Sequence, residues 1–357
     1  MFRPMPIGSP DESIRGKHTH AFHIELPGRA KFIASGLNFS AAVLPDTQGS
    51  HIVGADTLYT WGMGQNGANG RSKSMGCPTK TETREVEEAG GGVGTITYET
   101  YESGKKFTGN YYKKTEIDQN GEEKVIEWYE YDLKKVQLFL KPSPVDWAGP
   151  KIPRQVLSVA LGELHMLVVA REGNERDGTM TFAPRVYSTG NSGFGQGGHG
   201  DLVERNELTP IKALDGMMIG KVAAGARHSL ALDMYGQNVY GWGDSGYGKT
   251  GLFENESEAF VKTPQPVAFP TDLGDTRIVN IAAGDLVSFA ITQDGECYSW
   301  GFGEEMATGQ RGEDDINRPK LLNVMRKIPK TPEGGNTCKV LAVDGGGQHS
   351  LMLIKRY

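Results

Sequence analysis

Glycines beside short apolar and aromatic runs, one strand-turn-strand grammar recurring about every 60 residues, and a Trp-Gly pair closing most copies predict an all-β chain. The fold class is a β-propeller of four-stranded antiparallel blades, five to seven in number, with a β-rich insertion. The 49 glycines among 357 residues are nearly twice the usual share of about 7%. They follow no collagen period and form no low-complexity block, so they mark tight turns joining many short strands.

Each copy opens with a β-type run that ends in a small residue and glycine. These runs are Ile33-Ala34-Ser35-Gly36, Val159-Ala160-Leu161-Gly162, Val222-Ala223-Ala224-Gly225, Ile281-Ala282-Ala283-Gly284 and Val343-Asp344-Gly345-Gly346. The aligned glycines are separated by 126, 63, 59 and 62 residues. After a short apolar strand and a turn comes the second half: Leu58-Tyr59-Thr60-Trp61-Gly62, Val186-Tyr187-Ser188-Thr189-Gly190, Val239-Tyr240-Gly241-Trp242-Gly243 and Cys297-Tyr298-Ser299-Trp300-Gly301. Asp294-Gly295 supplies a hairpin signal between two of these strands. A lone four-stranded sheet leaves both faces wet, whereas radial packing of copies covers them. Gly36, Gly162, Gly225, Gly284 and Gly346 are expected to let the backbone turn near the axis, and Trp61, Trp242 and Trp300 to wedge between neighbouring sheets.

Residues 1–30 read as an N-terminal segment able to contribute a closing strand, and 31–357 as the propeller. The alternative is an open ring whose edges a partner covers. The first gap is twice the period, so 71–141 holds either an insertion or a degenerate blade; the absence of both landmarks favours the insertion. Its strand-like runs are Thr95–Glu102, Lys106–Ile117, Lys124–Asp132 and Val136–Lys141, with Asn120-Gly121 as a hairpin turn. Tyr111, Tyr112 and Trp128 make the insertion aromatic, which suits a partner contact as well as packing within its own sheet.

No stretch reaches the roughly 18 apolar residues of a membrane span, and the N-terminus lacks a signal-like apolar core. No membrane insertion is expected. Cys77, Cys297 and Cys338 are an odd number without metal-ligand spacing, so an intracellular, reducing compartment is expected: cytoplasm, nucleus or cilium, with the mitochondrion left open. A net charge of −6 and the lack of a polybasic tail argue against direct nucleic-acid binding. Gly243-Asp244-Ser245-Gly246-Tyr247-Gly248-Lys249-Thr250 spells a P-loop but stands in register with the glycine-rich loops of the other copies and lacks a following helix pattern. His18, His20 and His23 have no cysteine or acidic company, so no metal site is assigned. No catalytic constellation stands out and no cofactor is expected.

The pattern V-x-x-A-x-G-x-x-H-S-x-A-L, followed by V-Y-x-W-G, resembles the repeats of the regulator of chromosome condensation family over about residues 31–70 and 150–357. Trp300-Gly301 through Gly346-Gly347-Gln348-His349 is similar to the last repeats of the family's exchange factor for the Ran GTPase. The resemblance implies a propeller, seven-bladed in founding members. It also implies an exchange site built on an acid and a histidine, which fall here on Asn38 and His228. Asn38 lacks the charge, which favours a non-catalytic scaffold or adaptor, such as a subunit of a ciliary or organellar assembly. Nucleotide exchange on a Ran-like GTPase is the alternative. Partners are then proteins: a small GTPase or subunits of a large assembly. Candidate partner-facing residues are Asn38, His165, His228, Asp285 and His349 on the inner turns, and Tyr111, Tyr112 and Trp128 on the insertion. Repetition of the histidines at one repeat position favours a structural role for them, with His228 the one expected to face a partner as well.

Overall fold

A computed structural model describes residues 24–37, 39–46, 54–62, 68, 70, 142–174, 179–252, 259–270, 276–303, 307–310, 314–322, 338–347 and 349–357, and the backbone of four strands between 80 and 131. The chain divides into two compact units. One comprises Met1–Pro27 and Lys73–Pro142; the other comprises Gly28–Ser72 and Ser143–Tyr357.

The larger unit is a β-propeller assembly of antiparallel sheets. Strands β1 (Phe32–Ser35), β2 (Phe39–Pro45) and β3 (Asp56–Gly62) pair in order. The chain then forms the smaller unit's meander of β4 (Lys80–Glu87), β5 (Val93–Thr100), β6 (Lys106–Ile117) and β7 (Glu123–Tyr131). It returns as β8 (Ser143–Pro144), which pairs with β3 and completes the first sheet. The second sheet is β9 (Arg154–Leu161), β10 (His165–Glu172), β11 (Arg185–Gly190) and β12 (Arg205–Pro210), joined to the first by the Asp56–Arg154 pairing. The third is β13 (Ile219–Ala224), β14 (His228–Asp233), β15 (Val239–Asp244) and β16 (Phe260–Pro266). The fourth is β17 (Ile278–Ala283), β18 (Val287–Thr292), β19 (Cys297–Gly301) and β20 (Ile316–Leu321). The fifth has two described strands, β21 (Cys338–Gly345) and β22 (Ser350–Arg356). Five sheets, among the described residues, sit at the low end of the range expected from the sequence.

Apolar residues on both faces of each middle strand make the core inter-sheet. Leu167 and Val169 of β10 pack with Ile219, Val222 and Trp242 of the third sheet. Leu230 and Leu232 of β14 pack with Ile278, Ile281 and Trp300 of the fourth. Each buried indole removes about 150–250 Å² from water, a gain of several kcal/mol at about 25 cal/mol per Å². The first sheet lacks a described predecessor, and the consequence is visible at single residues. Trp61 is only half-buried where Trp242 and Trp300 are sealed. Ile33 is 74% exposed where its repeat equivalents Val222 and Ile281 are 7% and 6%.

The two glycine families do different work. The glycine ending each third strand turns the chain with positive φ: 107° at Gly62, 102° at Gly190, 103° at Gly243 and 117° at Gly301. The inner glycines, expected to serve as sharp turns, have no such φ. Their requirement is closeness: a Cβ on Gly36 would lie 2.5 Å from the Gly162 carbonyl oxygen, and one on Gly284 2.7 Å from that of Gly346. Gly162 and Gly225 approach the carbonyls of Gly225 and Gly284 in the same way. This head-to-tail series puts Gly36 directly against Gly162, so the 126-residue gap holds no sheet between the first and second.

Candidate functional site

The inner turns gather at one end of the larger unit. Residues of all five inner strands line a single cavity of about 590 Å³. Backbone N–H groups stitch successive turns together: Glu163 donates to the Ala226 carbonyl at 3.3 Å, Ala226 to Asp285 at 3.4 Å, and Asp285 to Gly346 at 3.1 Å. The glycine-rich loops lie at the same end, held by Asn191 N–H to Leu164 O, Asp244 N–H to Arg227 O and Phe302 N–H to Leu286 O.

Beneath this surface the repeated histidines bolt one sheet to the next. The His165 Nε2 lies 3.0 Å from Ser229 Oγ, and the His228 Nε2 2.8 Å from Ser288 Oγ. Each serine hydroxyl already donates to a loop carbonyl, Ser229 to Gln196 at 2.9 Å and Ser288 to Lys249 at 2.7 Å. A hydroxyl has one proton, so each histidine must be the donor in its pair, which fixes the neutral Nε2–H tautomer. The bare Nδ1 of each ring is buried without a hydrogen-bond partner among the described residues, a cheaper orphan than an N–H. Burial lowers the His165 pKa to about 4. Burial, reinforced by the nearby Lys249 charge, holds His228 well below the ordinary range.

The same loop carbonyls accept a second bond. Trp242 Nε1 donates to Gln196 O at 2.8 Å and Trp300 Nε1 to Lys249 O at 3.0 Å. The second and third sheets therefore each present a carbonyl that receives both a serine and an indole from the next. The P-loop-like run forms one of these loops. Lys249 is buried and its Nζ is committed to Asp244 at 2.7 Å; a 3₁₀ turn at Gly246–Gly248 stands where a phosphate-binding helix would start.

Exposed groups crown the inner turns. Arg227 bridges to Glu163 at 3.4 Å and lies over the Phe194 ring at 4.6 Å from its centroid. Tyr247, 49% exposed, packs edge-on against Phe302 at 4.8 Å. Asp285 is part-exposed, and its carboxylate has no hydrogen bond or ion pair among the described residues.

The residues singled out from the sequence separate accordingly. His165 and His228 are wholly buried, so neither ring offers a surface to a partner; the expectation that His228 faces one is not met, because the ring is fully covered and its Nε2 is engaged by Ser288. His349 is exposed and Asp285 stands at the rim. Asn38, Cys77 and His18, His20 and His23 lie outside the described residues. In the smaller unit, Tyr111 pairs opposite Tyr129 and Tyr112 opposite Trp128 in the β6–β7 register. Sequence reasoning missed Arg227, Phe194 and the serine that receives each histidine. The His-Ser dipeptide recurring at 228–229 and 349–350 was the available signal for the serines.

The stacked inner glycines, histidine bolts and indole latches describe one repeat used several times over. The family model described as "Regulator of chromosome condensation (RCC1) repeat" matches residues 185–232, 237–291 and 294–353, and a second model of the same description matches 221–249. Among curated proteins, the chain is 29% identical over 209 residues to the human E3 ubiquitin-protein ligase HERC2, covering 58% of this chain and 4% of that protein. It is 34% identical over 176 residues to the ultraviolet-B receptor UVR8 of Arabidopsis thaliana, covering 49% and 36%. To the regulator of chromosome condensation of Xenopus laevis it is 30% identical over 172 residues, covering 46% and 37%. The chain thus spans less than half the length of these relatives. The matched residues run from β11 to β22 and hold both indole latches and the His228–Ser288 bolt.

Proposed function

We propose that the RCC1-repeat propeller is a non-catalytic protein-interaction module whose contact surface is the rim of inner turns. The observation that carries this reading is the division of labour at that rim. His165 and His228 are buried, neutral and spent on inter-sheet bonds, while Arg227 and Tyr247 are exposed and Phe194 and Asp285 half-buried beside them. An exposed arginine over an aromatic ring, beside a carboxylate without a described partner, is the composition of a protein-binding patch. The rim is preorganised by the backbone stitches, so binding requires little ordering of the loops.

Native pull-down with Arg227→Glu and Asp285→Lys proteins tests it. Both variants should lose recovered partners at least tenfold while the unfolding midpoint stays within a few degrees. Undiminished recovery by both would remove the rim from the account.

Nucleotide exchange on a Ran-like GTPase is the second reading, favoured by the repeat match at 294–353 and by the similarity to the Xenopus regulator of chromosome condensation. Exchange needs only stronger binding to the nucleotide-free GTPase than to the loaded one. Stopped-flow release of labelled GDP from Ran should show no acceleration at micromolar propeller. A rate increase that Arg227→Glu abolishes would favour exchange over scaffolding.

A further inference from the structure

The turn leading into β13 presents a methionine whose sulfur is hydrogen-bonded. The Tyr240 hydroxyl donates to Met217 Sδ at 3.4 Å. In the second sheet the equivalent tyrosine, Tyr187, gives its proton to the Glu172 carboxylate. In the fourth sheet the residue in Met217's place is Thr276, whose hydroxyl donates to the Asp294 carboxylate at 3.2 Å. Both neighbouring sheets settle these positions with oxygen acceptors; the third uses a thioether, which accepts weakly.

The backbone pins this methionine on both sides. Its own N–H donates to Leu214 O at 3.1 Å, and the carbonyl of the next residue, Met218, accepts from Met234 N–H at 2.8 Å. Gly216 and Met218 flank it with φ of 82° and 50°. A side chain in the left-handed region is strained, and such strain persists only where its surroundings fix it. Met217 is 42% exposed, so peroxide in the solvent reaches it. Met234 on the same surface is 46% exposed, and among the described residues its sulfur accepts no hydrogen bond. Two methionines of nearly equal exposure therefore differ in one hydroxyl.

We propose that Met217 is a reversible sulfoxidation site, with a peroxide as oxidant, at which Tyr240 selects one of the two sulfoxide epimers. A thioether sulfur carries two lone pairs, and oxygen added to one or the other gives opposite configurations at sulfur. The Tyr240 hydroxyl occupies one pair and leaves the other to the oxidant. Burial and the Asp233 charge raise the Tyr240 pKa, so the hydroxyl keeps the proton it donates. With hydrogen peroxide, the open lone pair forms the S–O bond as the O–O bond breaks. Sulfur gives up two electrons, and the departing hydroxide takes the proton shed by the transferred oxygen and leaves as water. A thiol-dependent reductase specific for that epimer reverses the change, its two thiols becoming a disulfide while the oxygen departs as water. The reaction turns an apolar side chain polar at the start of β13, whereas the rim lies beyond that strand's other end. The inference therefore holds whichever partner the rim engages.

Limited treatment of the full chain with hydrogen peroxide, then digestion and peptide mass spectrometry, tests the site. Met217 should gain oxygen while the wholly buried Met166 stays reduced. Exposing the digest to the two methionine sulfoxide reductases of opposite epimer specificity reads the configuration at each sulfur. A neutral hydrogen bond biases two outcomes several-fold, so one epimer of the Met217 sulfoxide should be enriched at least threefold. Tyr240→Phe keeps the ring, removes the hydroxyl and should bring the two epimers close to equal. The epimer ratio at Met234 should be the same in both proteins, which separates loss of the hydroxyl from loss of the fold. Equal epimers at Met217 in the unaltered chain, an enrichment that Tyr240→Phe leaves intact, or a Met217 that stays reduced while Met234 is oxidised overturns the proposal.

Discussion

His228 and Ser288 show how one hydroxyl proton settles the state of a whole bolt. Because Ser288 gives its proton to Lys249 O, His228 must donate, and protonating the ring would bury an uncompensated charge. Replacing Ser288 by Ala should leave the Nε2–H orphaned and destabilise the fold by about 1–3 kcal/mol in urea melts, whereas His349→Ala at an exposed position should fall within about 0.5 kcal/mol. The pH dependence follows with a definite sign. Both buried histidines have folded pKa values below the ordinary 6.5, His165 at about 4, so the unfolded chain binds more protons between those limits. Stability is full above pH 6.5 and falls as pH drops toward 4, by about 1.4 kcal/mol per pH unit per histidine. Midpoints measured at pH 7.5 and pH 5 should differ in that direction, and His165→Gln should reduce the difference. The histidine positions were legible as repeats; their buried, donor-only state was not, because it depends on a serine one sheet away.

The strand pair around each Trp-Gly motif could be read directly from alternation and turn chemistry, and Asp294-Gly295 makes the expected turn, with φ 80° at Gly295. The reason for the inner glycines could not, since a carbonyl from the next sheet, 59 or more residues away, is what forbids a side chain. In the smaller unit β5, β6 and β7 match three expected runs closely, the fourth expected run at Val136–Lys141 lies outside the described residues, and β4 was missed. Lys-Thr-Glu-Thr-Arg-Glu-Val-Glu carries a single apolar residue, so hydrophobic alternation gives no signal there. The tryptophans permit a comparison between equivalent elements. Trp300→Phe removes the donor to Lys249 O in a sealed site and should cost about 1–3 kcal/mol, while Trp61→Phe in its half-covered site should cost clearly less in the same denaturation assay.

At the scale of the larger unit, covered and uncovered sheet faces distinguish its interior from its ends. The apolar residues that seal inner sheets, Leu230 and Leu232 at 0% and 2% exposure, recur in the fifth sheet as Leu351 and Leu353 at 69% and 60%. The period of about 60 and the direct contact of Gly36 with Gly162 account for sheet order, and the doubled first gap is explained by the separate meander between β3 and β8. The central claim is that the repeat's histidines hold sheets together and leave the rim to make contacts. Histidine-selective nitrogen NMR of the folded chain tests it most directly. The account predicts that His165 and His228 keep an unprotonated Nδ1 and a protonated Nε2 from pH 8 to pH 5; titration of either ring near 6.5, or the opposite tautomer, would contradict it.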